Sequence, residues 1–223
     1  MQPGIKAVIF DMDGVIIDSE PLWRRAMVKG FNHFGMPVSE EDCRKTMGRR
    51  INEVVDLWVK HHSVTKFTAL EIENTIMNNL FELIENEGKP IEGILEIFKF
   101  CRDKKLKIGL ATSSSEKLMN VVLNKLQIAQ IFDSAVSAQH LKYGKPNPEV
   151  FLLCANNIGI DPFNCLVIED SVTGAIAAKA AQMTLVVVPD EGTKHQEKFA
   201  IADHNLSNMQ EVLTLFNSSI NWL

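Results

Sequence analysis

Four short apolar runs without polar alternation narrow the folds open to this chain more than any other feature. They are KAVIF (6–10), KIGLA (107–111), CLVIE (165–169) and TLVVVP (184–189). Continuous apolar runs of this length are typical of parallel strands that helices cover on both faces. FDSAVS (132–137) is a weaker fifth run, and helical patterns lie between the runs. The alternation predicts an α/β fold with a doubly wound, Rossmann-like parallel sheet.

The interval between the first two runs is too long for a simple crossover. It spans roughly ninety residues, whereas a crossover needs about a dozen. Apolar residues recur inside it at helical spacing, over 51–59 and 72–84, and Ser39 and Thr68 each precede an acid by three residues, as in a capping box. We therefore predict a core of residues 1–18 and 89–223, with a small helical cap domain of residues 19–88 inserted over the loop after the first strand.

Oxygen-bearing side chains follow three of the four clear strands. These residues are Asp11 and Asp13, Thr112 and Ser113, and Glu169 and Asp170. Open parallel sheets bind ligands at the carboxyl ends of their strands, so we expect these side chains to meet at one edge. Lys145, in the segment YGKPNPE before a helical pattern, can reach the same edge.

The four acids at this edge require a counter-charge. Asp11 and Asp13 are two positions apart in an extended segment, so their side chains point the same way. Carboxylates with ordinary pKa values of about 4 are ionised at pH 7 and repel one another unless a cation holds them. Mg²⁺ suits the site best, because it takes one or two carboxylates and usually accompanies phosphate oxygens.

The remaining residues at the edge suit a phosphoryl group. Thr112 and Ser113 precede a helix, with Ser113 and Glu116 spaced as a capping box, so backbone N–H groups there can face an anion. Lys145 adds a positive charge, and such donors stabilise phosphoryl transfer. Two neighbouring aspartates can divide the roles of nucleophile and proton carrier.

The segments DMDGVIIDSE, ATSS, GKPNPE and VIEDSVTG resemble, in order and spacing, the four motifs of the haloacid dehalogenase superfamily. Within it the chain is similar to the branch of β-phosphoglucomutase and 2-deoxyglucose-6-phosphatase. The resemblance implies Asp11 as nucleophile and Asp13 as general acid and base. It also implies phosphate ligands at Thr112, Ser113 and Lys145, and metal ligands at Asp11, the Asp13 carbonyl and Asp170, with Glu169 assisting or bound directly.

Two departures from relatives indicate the reaction. True dehalogenases of the superfamily lack the second aspartate, so Asp13 argues against carbon–halogen hydrolysis. β-Phosphoglucomutases carry a histidine at the place of Trp23, so hydrolysis is favoured over mutase chemistry. We expect a Mg²⁺-dependent phosphatase acting on small phosphomonoesters, sugar or sugar-alcohol phosphates, through an aspartyl-phosphate. A phosphosugar mutase and a non-catalytic sugar-phosphate sensor are the alternatives.

Substrate contacts are expected from the linker and turn of the cap. The candidates are Glu20, Trp23, Arg50 and Asn52, beside Gly48 and Arg49. An arginine there can donate hydrogen bonds to the hydroxyls or the phosphate of a substrate. Arg50 is equally consistent with an exposed residue at a helix start.

Charge and cysteine content limit the partners. The net charge of −5 and the pI near 5.7 argue against nucleic acid and acidic membrane surfaces. The four cysteines have no CxxC or zinc spacing, and no signal peptide or long apolar span is present. We expect a cytoplasmic monomer with free thiols whose partner is a small phosphorylated metabolite.

Overall fold

The computed structural model describes residues 4–46, 49–190 and 197–218. Its strands are β1 (Ala7–Phe10), β2 (Lys107–Thr112), β3 (Ser134–Ser137), β4 (Cys165–Glu169), β5 (Thr184–Val187) and β6 (His204–Asn205). They form one sheet in the order β3-β2-β1-β4-β5-β6, and every neighbouring pair is parallel. The predicted Rossmann-like α/β fold is confirmed. The two-residue edge strand β6 has no apolar run and was not predicted.

Helices lie between and after these strands. Those between β1 and β2 are α1 (Glu20–His33), α2 (Glu40–Arg44), α3 (Ile51–His61), α4 (Ala69–Glu87) and α5 (Ile94–Asp103). The later ones are α6 (Glu116–Leu126), α7 (Glu149–Ile158), α8 (Val172–Ala180) and α9 (Met209–Ser218). In the described part of the chain, no helix combines the length and apolar character that crossing a membrane requires.

The central strand β1 explains why its apolar run lacks alternation. Val8 and Phe10 belong to one hydrophobic cluster, whereas Ala7 and Ile9 belong to the cluster on the opposite face. All four residues are fully buried. Because successive side chains of a strand point to opposite faces, a strand covered on both sides needs an apolar residue at every position.

The register of β1 places the site residues. Phe10 pairs with Leu110 of β2 on one side and with Ile168 of β4 on the other. The next residue of each strand therefore comes level at the carboxyl edge, which puts Asp11 beside Glu169.

The inserted helices α1 to α4 begin and pack as their sequence indicates. The capping boxes predicted at Ser39 and Thr68 are confirmed: the Thr68 backbone N–H donates to Glu71 at 2.8 Å, and Thr68 Oγ1 accepts from the Glu71 N–H at 3.2 Å. The long helix α4 packs on α1, α3 and α6. The division into a core and a cap domain stays a prediction.

The two chain segments that lead into and out of these helices lie side by side. Asp18 N–H donates to the Lys89 carbonyl, and Ile91 N–H donates to the Ile16 carbonyl, both at 3.0 Å. A bridge between Ile17 and Pro90 lies between these two hydrogen bonds. The helices are therefore joined to the sheet through two adjacent, hydrogen-bonded segments.

Candidate active site

The end of β1 places Asp11 against a buried lysine. Lys145 is 3% exposed, and its Nζ donates to Asp11 Oδ1 at 2.5 Å, to Glu169 Oε1 at 2.6 Å and to the Ala111 carbonyl at 3.1 Å. Lys145 thus contacts the acids of the sheet edge, as its position in the sequence predicts. All three ammonium protons are directed to oxygen atoms.

Burial and neighbouring charge shift the pKa values of this pair. Burial raises the pKa of Asp11 to about 7, against the lowering effect of Lys145 and with further raising by Glu169 and Asp13. Burial alone would lower the pKa of Lys145, but the adjacent carboxylates of Asp11 and Glu169 outweigh it and raise that pKa. Lys145 therefore stays cationic.

Glu169, at the end of β4, is fully buried and held at both oxygens. Its Oε2 accepts from the backbone N–H groups of Asp170 and Ser171, each at 2.9 Å, and from Ser171 Oγ at 3.0 Å. Gly174 makes room for it, because a Cβ there would overlap the carboxylate. Glu169 thus fixes both Lys145 and the start of α8.

Asp170 has the character of a cation ligand. Its Oδ2 is buried and has no hydrogen-bond partner among the described residues. One carboxylate oxygen each from Asp11, Glu169 and Asp170 lie within 4.8 Å of one another. Burial raises the pKa of Asp170 well above its ordinary value, and Glu169 and Asp11 add to the effect. A divalent cation would remove this repulsion and give Oδ2 a partner, so the residues fit Mg²⁺.

Asp13 is held apart from this acid cluster. Its Oδ1 accepts from Ser19 Oγ at 2.6 Å and from Trp23 Nε1 at 2.9 Å, and its Oδ2 accepts from Ser114 Oγ at 2.6 Å. Its carboxylate is not among the three that could hold a metal. The metal contact through the Asp13 carbonyl stays a prediction.

The residues after β2 differ from prediction in one respect. Thr112 is buried and its Oγ1 accepts from Ser114 N–H at 3.0 Å. The capping box expected from Ser113 and Glu116 is wrong, because α6 begins at Glu116 and its N-cap is Ser115. Ser113 Oγ is buried without a hydrogen-bond partner in the described part of the chain. Three consecutive serines precede α6, so the sequence alone left three possible N-cap residues.

A cavity of about 60 Å³ joins these groups to the inserted helices. From the sheet edge it is lined by Asp11, Asp13, Thr112, Ser113, Lys145 and Asp170, and from the inserted segment by Glu20 and Trp23 of α1 and by Arg49, which lies between α2 and α3. Burial raises the pKa of Glu20 to about 8, and Asp13 adds to this whereas Arg24 opposes it. Of the four residues predicted to contact substrate, Glu20 and Trp23 therefore line this cavity.

Arg50 and Asn52 lie elsewhere. Within the described residues they line a neighbouring cavity, while Gly48 lies outside those residues. Arg50 Nη2 is 2.7 Å from Glu53 Oε1, and Arg50 Nη1 donates to the Leu141 carbonyl at 3.1 Å. Its side chain is only 14% exposed, so the alternative of an exposed arginine is wrong, and the substrate contacts of Arg50 and Asn52 stay predictions. Arg49, one position earlier, lines the first cavity instead.

Comparisons with known proteins agree with this geometry. The family model of haloacid dehalogenase-like hydrolases matches residues 8–188. Hexitol phosphatase B of Escherichia coli K12 is 37% identical over 209 residues, covering 93% of this chain and 94% of that protein. A phosphorylated carbohydrates phosphatase of Thermotoga maritima is 32% identical over 185 residues, covering 79% and 82%.

Among solved structures, β-phosphoglucomutase from Clostridium difficile is 26% identical with a TM-score of 0.82, covering 96% of this chain and 97% of that one. The resemblance to the superfamily and to its β-phosphoglucomutase-like branch is therefore confirmed. The chain belongs to the haloacid dehalogenase-like hydrolase family.

Proposed function

We propose that this protein is a Mg²⁺-dependent phosphatase that hydrolyses sugar or sugar-alcohol phosphates through an aspartyl-phosphate. The observation that carries the proposal is one cavity in which the Asp11 carboxylate lies beside the buried Lys145 cation and the partnerless Asp170 oxygen. The relatives support the substrate class, since two of them are a hexitol phosphatase and a phosphorylated carbohydrates phosphatase.

Asp11 is the nucleophile in this proposal. Lys145 binds Oδ1 of Asp11, which orients the carboxylate and leaves the other oxygen to attack phosphorus. The bond between phosphorus and the ester oxygen breaks, and Asp13 protonates the departing alkoxide. Asp13 then takes a proton from water, which attacks the aspartyl-phosphate and releases inorganic phosphate.

Asp11 and Asp170 are the side chains that would hold Mg²⁺. Both oxygens of Glu169 already accept hydrogen bonds, so we assign Glu169 to positioning Lys145 and the α8 start. Bound Mg²⁺ supplies positive charge that offsets the carboxylates and the phosphoryl oxygens. Thr112 and the N–H groups after β2 would hold the phosphoryl oxygens, and the Lys145 cation would add its positive charge beside them.

Phosphate release from the Asp11→Asn variant tests the proposal. We expect a loss of about 10³-fold or more in kcat in a protein that circular dichroism still shows to be folded, because the attacking oxygen is replaced by an amide nitrogen. Asp103→Asn is the control, since Asp103 pairs with Lys99 on the surface. EDTA should abolish turnover and added Mg²⁺ restore it. Turnover by Asp11→Asn, or turnover in EDTA, would refute the proposal.

A phosphosugar mutase is the second candidate, favoured by the structural likeness to β-phosphoglucomutase. Trp23 argues against it: its indole N–H only donates to Asp13 and cannot exchange a proton as a histidine does. Products distinguish the two activities. A phosphatase yields inorganic phosphate and free sugar, whereas a mutase yields isomerised sugar phosphate.

A further inference from the structure

The segment of residues 137–145 leads from β3 to Lys145 and has few hydrogen bonds of its own. It contains one short turn of 3-10 helix, Ala138–His140, followed by irregular chain. Within the described part of the chain, no backbone N–H from Lys142 to Lys145 donates to a backbone carbonyl. Gly144 and Lys145 are nevertheless buried. Contacts from outside the segment are therefore needed to fix Lys145 against the sheet edge.

Both ends of the 137–145 segment contact residues of the candidate active site. At its last residue, the Lys145 ammonium donates to Asp11. At its first residue, Ser137 Oγ donates to the Ser114 carbonyl at 2.5 Å, and Ser114 Oγ in turn donates to Asp13 at 2.6 Å. A displacement of the segment would therefore reach both aspartates that the proposed reaction uses.

Arg50, the N-cap residue of α3, binds the middle of the segment from the inserted helices. Its Nη1 donates to the Leu141 carbonyl at 3.1 Å and, at the longer distance of 3.4 Å, to the Ala138 carbonyl. Its Nε donates to Glu53 Oε1 at 2.8 Å, which orients the guanidinium. Because the side chain is largely buried, these charge-assisted hydrogen bonds meet little competition from water.

The Arg50 side chain also lies directly on Gly144, the residue before Lys145. A Cβ on Gly144 would be 2.8 Å from Arg50 Nε and 3.2 Å from its Cγ and Cδ. The φ of Gly144 is not positive, so the closeness of Arg50, rather than the backbone conformation, favours a glycine there. Arg50 thus contacts the segment at three residues, the last of them adjacent to Lys145.

We propose that Arg50 is a positioning residue, which holds the 137–145 segment so that the Lys145 ammonium stays against Asp11 and Glu169. The inference rests on the proposed phosphatase function and adds to it a residue that does not line the first cavity. This role differs from the substrate contact predicted for Arg50 from the sequence, because the donors of its guanidinium are directed at Glu53 and at the segment.

Steady-state kinetics of Arg50→Met with p-nitrophenyl phosphate and Mg²⁺ test this role. Methionine keeps a flexible side chain over Gly144 but donates no hydrogen bond. We expect kcat to fall roughly tenfold or more, as small misplacements of reacting groups do, while KM changes less than about twofold. Arg25→Met, which breaks an exposed pair with Glu87, is the control and should match wild type. An unchanged kcat would overturn the inference, as would a rise in KM alone, which indicates a substrate contact.

A double-mutant cycle with Gly144→Ala identifies the contact that carries the effect. In wild type the added methyl group would overlap the Arg50 side chain, so Gly144→Ala alone should lower kcat roughly tenfold. In Arg50→Ala, which removes that side chain, Gly144→Ala should lower kcat by less than about a further twofold. Additive losses would overturn the inference, because the methyl group would then act at a different contact.

Tryptic cleavage tests the hold on the segment without any turnover. Lys142 is exposed and is the trypsin site of the segment, because Lys145 precedes Pro146. Cleavage after Lys142 should be at least roughly fivefold faster in Arg50→Met than in wild type, since local opening sets its rate, and unchanged in Arg25→Met. Equal rates in all three proteins would overturn the inference. Faster cleavage of Arg50→Met, in an enzyme that hydrolyses no phosphate ester, would instead overturn the proposed function.

Discussion

Replacement of Lys145 by methionine should destabilise the protein far more than loss of a surface lysine. The methionine fills much of the space but leaves Asp11 and Glu169 buried without the ammonium that contacts them at 2.5 and 2.6 Å. Removing one partner of a buried ion pair costs about 3–5 kcal/mol. At roughly 2–4 °C per kcal/mol for a chain of this size, the melting temperature should fall by roughly 6–20 °C.

The loss should depend on pH with a defined sign. Lys145 holds the pKa of Asp11 down against burial, which still raises it to about 7. Without Lys145 that pKa rises further, so the folded variant keeps protons that the unfolded chain releases above pH ~4. The stability of the variant therefore falls as pH rises, and its deficit relative to wild type should be small at pH 5 and large at pH 8.

Thermal unfolding followed by circular dichroism in EDTA, at pH 5 and pH 8, measures both effects. Lys99→Met is the control, because Lys99 and Asp103 form an exposed pair whose loss should cost no more than about 1 kcal/mol. If Lys145→Met matches this control at pH 8, or loses the same amount at both pH values, the electrostatic reasoning is refuted.

Further perturbations test three separate parts of the structure. Gly35→Ala should lower the free energy of unfolding in urea by about 1–2 kcal/mol, because Gly35 has a φ of +76° with open space around it. Gly14→Ala, at a φ of +77°, should lower it more and should also weaken activation by Mg²⁺, since the added Cβ would overlap Asp170. Equal losses would contradict this. Thr68→Ala should lower the unfolding free energy by about 1 kcal/mol through the lost cap of α4 without changing kcat, and a large fall in kcat would contradict it. Mg²⁺ at about 100 times its Kd should stabilise wild type by about 2.7 kcal/mol, which raises the melting temperature by roughly 5–10 °C. The stabilisation should be smaller at pH 5, because protons compete with the ion for Asp11. If Asp170→Asn leaves the melting-temperature shift unchanged, the ion binds elsewhere.

The sheet and the acids at its edge could be predicted because both depend on local sequence. A strand covered on two faces requires an unbroken apolar run, and the residue after each run necessarily lies at the carboxyl edge. Asp11, Glu169 and Asp170 follow from these two facts, and their proximity is confirmed.

Contacts made across elements could not be predicted in this way. Ser114, rather than a neighbouring serine, donates to Asp13, and this depends on the rotation of the turn after β2. Arg49, rather than Arg50, lines the first cavity, whereas Arg50 contacts Glu53 and the Leu141 carbonyl. Neither choice is encoded by spacing, since adjacent residues of the same type compete for one role.

The paired segments at Ile17 and Pro90 have a consequence for how such a chain can diversify. Because the ends of the α1–α4 insert are neighbours, a short turn could join them and leave the strands and Asp11 undisturbed. Chains of different length and shape could likewise be accommodated at this junction. Under the proposed function, substrate preference would therefore change by exchange of one segment, while Asp11 and the other residues of the sheet edge stay as they are.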